Sequence, residues 1–164
     1  MNKIEFTPIG TVHSPFDELE GMPIQPIGAQ GIKGEIHLRD DLIPGLKDLD
    51  GFSHLTLVYY LHKVKGYSLE VKPFLDNDHH GGVFATRSPR RLNPIGISVV
   101  KLDSVNENVI EISNVDILNG TPLLDIKPYV PQLYEDTCKD LKIGWFEDKH
   151  ENAEKTRSDD RFID

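Results

Sequence analysis

The chain is expected to fold as a small, mainly β, single-domain barrel with minor helices and a C-terminal tail. Three observations predict this. Apolar residues recur with period two over several short runs, Gly and Pro punctuate the chain throughout, and few stretches carry a 3.6-residue apolar period. The length of 164 residues fits one domain that can bury a real core. Fractions of 38% hydrophobic and 27% charged residues are those of a globular chain, not a disordered one.

The elements follow in order. Phe6–Val12 reads as a short strand. Gly28, Gly31 and Gly34 form a G-x-x-G-x-x-G series, but it precedes a strand and so reads as a loop. Ile32–Leu38 alternates apolar and polar residues, anchored by Ile32, Ile36 and Leu38. Asp41–Leu46 is long enough for a single helical turn. Leu55–Leu61 (L-T-L-V-Y-Y-L) is nearly all apolar, which predicts a central strand buried on both faces. Leu69–Lys72 and Val83–Ala85 are further short strand candidates. Ile97–Val105 and Val109–Val115 flank Asn106-Glu107-Asn108, a strong hairpin signal. Gln132–Leu141 is expected to form a short helix. Glu147–Arg157 is polar on all sides with Glu151 and Lys155 four apart, and such a helix does not hold by itself. Trp145 and Phe162 would anchor it. The expected division is a barrel at residues 1–135 and an extension at 136–164 that docks on the barrel or on a second subunit.

A formal net charge of −9 argues against non-specific coating of nucleic acid. It leaves room for a local basic site, since Arg87, Arg90 and Arg91 fall within five residues of one another; a solvated loop would look the same. Cys138 is the only cysteine, which rules out an internal disulfide and a zinc–thiolate cluster. The first twenty residues lack an apolar signal core, and no run approaches the roughly 18–20 apolar residues of a membrane span. The expected location is the cytoplasm. His54 and His62 are eight apart and His79 and His80 adjacent, without an H-x-H or H-E-x-x-H pattern, so no metal is expected. Walker and Rossmann glycine patterns are also missing.

Two polar, turn-rich segments stand out as expected binding loops: Gly82–Gly96 (G-V-F-A-T-R-S-P-R-R-L-N-P-I-G) and Asn119–Tyr129 (N-G-T-P-L-L-D-I-K-P-Y). In the first, Pro89 and Pro94 restrain a loop whose arginine forks suit carboxylates and phosphates. In the second, Asn119-Gly120-Thr121-Pro122 is a turn sequence in which Gly120 permits a positive φ. Beyond it Asp125, Lys127 and Tyr129 alternate with Leu124, Ile126 and Pro128. On an extended segment this puts three potentially proton-handling groups on one face.

With these motifs in view, the sequence resembles the TsaA-like, or TrmO, family of S-adenosylmethionine-dependent tRNA methyltransferases. The resemblance runs through Pro8–Phe16 (P-I-G-T-V-H-S-P-F), Pro23–Pro26 (P-I-Q-P), Gly45–Leu55 (G-L-K-D-L-D-G-F-S-H-L), the arginine loop and Asp125–Pro131 (D-I-K-P-Y-V-P). It covers nearly the whole chain to about Val130, with the motifs in the family's order. It implies a barrel without the Rossmann methyltransferase fold, with S-adenosyl-L-methionine sites completed across a homodimer. It also implies N6-methylation of threonylcarbamoyladenosine beside the anticodon of a tRNA. Carried over by motif, Gln25, Pro26, Ile27, His62, Lys63, Arg87, Leu118, Asn119, Gly120 and Thr121 would line the cofactor. Arg90, Arg91, Asn93 and Lys127 would meet substrate, and Asp116, Asp125 and Tyr129 would take part in catalysis. Leu92 stands where the family usually has Pro, and Asn119 where it usually has Asp.

Transfer of a methyl group from a sulfonium demands alignment of nucleophile, methyl and sulfur. The urea-like N6 of the modified adenosine is a weak nucleophile, so loss of its proton should help. Asp116 or Asp125 would be the base, with Tyr129 and His62 as lesser candidates; nothing in the sequence separates them. The arginines would meet the threonyl carboxylate or the anticodon-loop phosphates. Two other readings stay open at this point. A non-catalytic RNA- or nucleotide-binding barrel would bind RNA without cofactor, and a metal-assisted hydrolase would hold stoichiometric metal.

Overall fold

A computed structural model describes residues 3–78, 80–133, 141–147 and 149–162, Phe162 by its backbone alone. Among the described residues eight strands are found: β1 (Gly10–His13), β2 (Lys33–Leu38), β3 (His54–Tyr60), β4 (Glu70–Val71), β5 (Gly81–Gly82), β6 (Ile95–Asn106), β7 (Val109–Ser113) and β8 (Thr121–Pro128). Six of them close an antiparallel barrel in the order β1-β2-β7-β6-β3-β8, and β4 pairs with β5 in a separate ribbon. Closure leaves none of the six with an unpaired edge. Alternate residues point inward, and Val12, Ile36, Leu55, Leu57, Val100, Ile110, Ile112 and Leu123 are fully buried in a side-chain-filled interior.

The hairpin forms where its sequence places it. Asn106 pairs with Val109 across a two-residue turn, and Glu107 takes a φ of 52°. Strand β6 is longer than Ile97–Val105, and β1 starts only at Gly10, leaving Ile4 and Phe6 exposed. Asp40–Leu46 is a 3₁₀ segment, close to the expected turn.

Other expectations are corrected. The run Leu55–Leu61 is not a strand buried on both faces. Burial alternates along His54–Tyr60, because a closed barrel has one interior and the other face looks outward. Val83–Ala85 is a 3₁₀ turn instead of a strand, closed by a hydrogen bond from Thr86 Oγ1 to the Val83 carbonyl at 2.9 Å. Most of Asn119–Tyr129 is strand β8, not a loop. Leu123 and Ile126 supply inward anchors, and the segment bridges β1 and β3 to close the barrel, which outweighs its turn-like composition. Glu147–Arg157 is not one helix: among the described residues only the short 3₁₀ segment His150–Glu154 forms there. Its buried Ala153 and the Glu154 carbonyl pack close against Gly28 in the 3₁₀ turn Pro26–Ala29, a contact that holds it in place of an apolar stripe. Pro131–Leu133 makes one 3₁₀ turn; the rest of the helix expected at Gln132–Leu141, residues 134–140, lies outside the described residues.

Candidate functional site

Antiparallel pairing brings the ends of β1, β3 and β7 and the starts of β2, β6 and β8 to one rim of the barrel. The connections at that rim are long and irregular. They enclose a cavity of about 850 Å³, within the range of small-ligand sites.

Many residues named from the sequence meet there. Gln25, Pro26 and Ile27 arrive on the β1–β2 connection, and His62 and Lys63 just beyond β3. Arg87, Arg91 and Asn93 come from the segment before β6, and Asp116, Leu118 and Thr121 from the β7–β8 passage. The arginine loop is stiffened by more than its prolines. Buried Thr86 accepts from the Ser88 amide at 3.2 Å, and Arg91 Nη1 donates to the Thr86 and Ser88 carbonyls, both at 3.1 Å. Arg87 Nη2 donates to the Ile97 carbonyl at 3.1 Å, fixing that side chain along β6. Thr121 Oγ1 donates to the Leu118 carbonyl at 2.7 Å and lies 3.5 Å from His62 Nδ1. Burial, and then the neighbouring Lys63 charge, holds the His62 pKa below its ordinary value, so the ring is neutral near pH 7.

Six named residues do not line this cavity. Arg90 faces a smaller cavity beside Lys72 and Arg161. Gly120 has the positive φ its sequence calls for, at 76°, and its N–H donates to the Val12 carbonyl at 2.9 Å. Asn119 turns its amide to Asp17 Oδ1 at 2.9 Å while accepting from the Ser14 N–H at 3.3 Å. An aspartate there could not donate to Asp17, so the amide fits its neighbour. Asp125 and Lys127 pair across the strands with Val58 and Thr56, on the outer face of the barrel. They form a 2.7 Å ion pair with each other, and Tyr129 follows in the same alternation, exposed.

Several contributors escaped the sequence reading. Tyr59 and Ser98 line the cavity and share a 2.9 Å hydrogen bond. Tyr59 hid inside an apolar run, but a serine on the inward face of an apolar strand was a usable signal. Burial, reinforced by the Asp116 charge, drives the Tyr59 pKa far up, so the phenol stays protonated. Met22, Phe74, Trp145 and Phe146 add apolar lining to the cavity. They come from segments with no recognisable pattern.

Asp116 is the outstanding group. Its Oδ1 is shut off from solvent and has no hydrogen-bond partner, on a surface that is otherwise largely apolar. Burial raises its pKa from 3.8 to about 6 against the opposing pull of a Ser98 hydrogen bond and the Arg87 charge. No group of three His, Cys, Asp or Glu side chains able to hold a metal is found among the described residues, and no helix there is long and apolar enough to cross a membrane.

A closed barrel with a rim cavity, largely apolar but bearing one unsatisfied acid oxygen, has the form of a small-ligand-binding barrel. The chain belongs to the tRNA-methyltransferase O N-terminal domain family, which it matches over residues 11–135. A probable S-adenosyl-L-methionine-binding protein of Pyrococcus abyssi is 48% identical over 158 residues, covering 96% of this chain and 84% of that one. The tRNA (adenine(37)-N6)-methyltransferase of Escherichia coli is 36% identical over 143 residues, 80% of this chain and 60% of the enzyme. The crystal structure of TrmO from Pseudomonas aeruginosa superposes with a TM-score of 0.70 at 35% identity, covering 88% of this chain and 63% of that one. The chain thus spans about three fifths of the length of these two bacterial proteins.

Proposed function

We propose that the protein is an S-adenosyl-L-methionine-dependent methyltransferase acting on N6 of threonylcarbamoyladenosine next to the anticodon of tRNA, working as a homodimer in the cytoplasm. The observation that carries this reading is Asp116: a half-buried residue whose Oδ1 is shut off from solvent and unpartnered, in a cavity of cofactor size, inside the segment that matches the family. Bound S-adenosylmethionine would supply a methyl group on a good leaving sulfur. Gln25, Pro26, Ile27, Leu118 and Thr121 would hold it at the rim. Asp116 accepts the N6 proton; with a pKa of about 6 it is mostly ionised at pH 7 yet still basic enough to take part. Arg87, Arg91 and Asn93 would hold the threonylcarbamoyl group, the arginine forks suiting its carboxylate. Neutral His62 and protonated Tyr59 serve as hydrogen-bonding groups. The exposed Phe84, Leu92 and Ile97 surround the arginine loop with apolar surface that a second subunit would cover.

The test is calorimetric titration with S-adenosylmethionine, followed by methyl transfer to tRNA carrying the threonylcarbamoyl group. Saturable binding at about one per subunit and transfer to N6 are expected. Folded protein that binds RNA but not cofactor would favour a non-catalytic RNA-binding barrel instead. The outward Asp125 gives a sharper check. Asp125→Asn is expected to change turnover by less than about threefold, since it breaks only an exposed ion pair. A loss of hundredfold would move the base from Asp116 to Asp125.

A further inference from the structure

Residues 144–147 and 149–161 lie outside the residues matched to the family domain, yet Trp145, Phe146, His150, Ala153, Ser158 and Asp159 among them form part of the cavity wall. They are fastened to the rest of the chain at three places. Trp145 Nε1 donates to the Ala85 carbonyl at 2.8 Å, next to the arginine loop. Arg157 Nη2 donates to the Gly28 carbonyl at 3.3 Å, and the Ser158 N–H to the Met22 carbonyl at 2.9 Å, tying the tail to the β1–β2 connection. Arg161 lies over the Phe74 ring at 4.8 Å and donates to Pro73 O at 3.2 Å and Asn77 Oδ1 at 3.1 Å. These residues are thus tied down at Trp145 and again over Arg157, Ser158 and Arg161.

The largest side chains this segment brings to the cavity are aromatic, Trp145 and Phe146, beside the polar His150, Ser158 and Asp159 and the small Ala153. Trp145 and Phe146 are stacked, with centroids 4.0 Å apart and planes at 29°, and both line the cavity half-buried. The indole N–H is engaged with Ala85, so the ring surface is what Trp145 presents to a ligand. Met22 and Phe74 line the same cavity, as do the polar Asp116 and Arg87.

Resting on the methyltransferase reading, we propose that the stacked Trp145–Phe146 pair is the platform for an adenine ring in this cavity, supplied by the chain's own C-terminal segment. Flat heterocycles gain from an aromatic face regardless of their edge pattern, while their polar groups, which lie in the ring plane, are met at the edges. Adenine occurs in both the cofactor and the target nucleotide, so the test must separate the two.

Trp145 is the only tryptophan, so its fluorescence reports on the wall directly. S-adenosylhomocysteine and threonylcarbamoyladenosine nucleoside are titrated separately into the full-length protein, with calorimetry in parallel. Saturable change of tryptophan emission at the calorimetric Kd is expected with one of them, which identifies the source of the ring. Phe146→Leu keeps apolar volume and leaves the Trp145–Ala85 bond in place. It is expected to weaken that ligand at least fivefold with the melting temperature unchanged, and Trp145→Ala to weaken it about ten- to hundredfold. Trp145→Phe should restore affinity to within about threefold of the parent. Calorimetric binding with silent tryptophan emission, and Phe146→Leu and Trp145→Ala of parental affinity, would overturn the platform and leave the methyltransferase reading standing. Absence of calorimetric binding by either ligand would overturn both.

Discussion

Asp116→Asn is expected to make the protein more stable and nearly inactive. The native state raises the Asp116 pKa from 3.8 to about 6, so folding favours the neutral acid. For a group raised in this way, its favourable contribution is complete below pH 4 and is lost as pH climbs through 6. At roughly 1.4 kcal/mol per pH unit, the native state is held back by about 3 kcal/mol above pH 6. Asparagine has the same shape without the charge to bury. Urea denaturation at a series of pH values should therefore show wild type and variant close together near pH 4. The variant should pull ahead between pH 4 and 6, with a constant gap beyond. Methyl transfer should fall by about 10²–10⁴, the usual contribution of a positioned base. In the wild type, kcat/KM should decline below a midpoint near pH 6. A variant less stable than the parent at pH 8 would show that the buried carboxylate is already satisfied. A variant with parental turnover would show that the proton leaves by another route.

The candidate site was only partly legible from sequence. The barrel was readable because alternation records which side of a strand is wet, and β2, β6 and β7 carry it plainly. Strand β8 was harder, since Pro122, Asp125, Lys127 and Pro128 disguise a strand with two inward anchors, Leu123 and Ile126. Its bulge opposite Val58 and Tyr59 breaks the period-two count, so the register had to come from the closed barrel. The same closure separates the acids that sequence could not rank. Asp125 points outward beside Lys127, and Asp116, in the irregular passage before β8, faces the cavity. Spacing along a chain cannot reveal which side of a barrel wall a connection falls on. Nor could it reveal Trp145 as part of the site, because that contact joins residues 60 positions apart through a tail with no regular period.

Gly96→Ala is expected to cost about 3 kcal/mol of stability and to spoil ligand binding, though it adds one methyl group. Gly96 pairs with Tyr59 across β6 and β3, and the Tyr59 ring lies directly over the glycine. A Cβ at Gly96 would sit 2.2 Å from Tyr59 Cε2 and 2.4 Å from Cζ, distances no packing tolerates. The ring is not free to swing aside, because its hydroxyl is bonded to buried Ser98 at 2.9 Å, two residues along the same strand. Moving it forfeits that bond in a dry site, costing about 1–3 kcal/mol, in addition to overpacking of similar size. A loss of 3 kcal/mol in a chain of this length lowers Tm by about 6–12 °C. The displaced ring lines the cavity and is bonded to Ser98, a hydrogen-bonding partner of Asp116, so S-adenosylhomocysteine should bind at least tenfold more weakly at temperatures where the variant is folded. The mechanism is checked by pairing the change with Tyr59→Leu, which removes the ring that the new methyl strikes. Denaturation of the four proteins should give a coupling of more than 1 kcal/mol, the double variant being more stable than the summed single losses predict. Strict additivity would mean that the Gly96 cost arises in the backbone, with no part played by the aromatic ring above it.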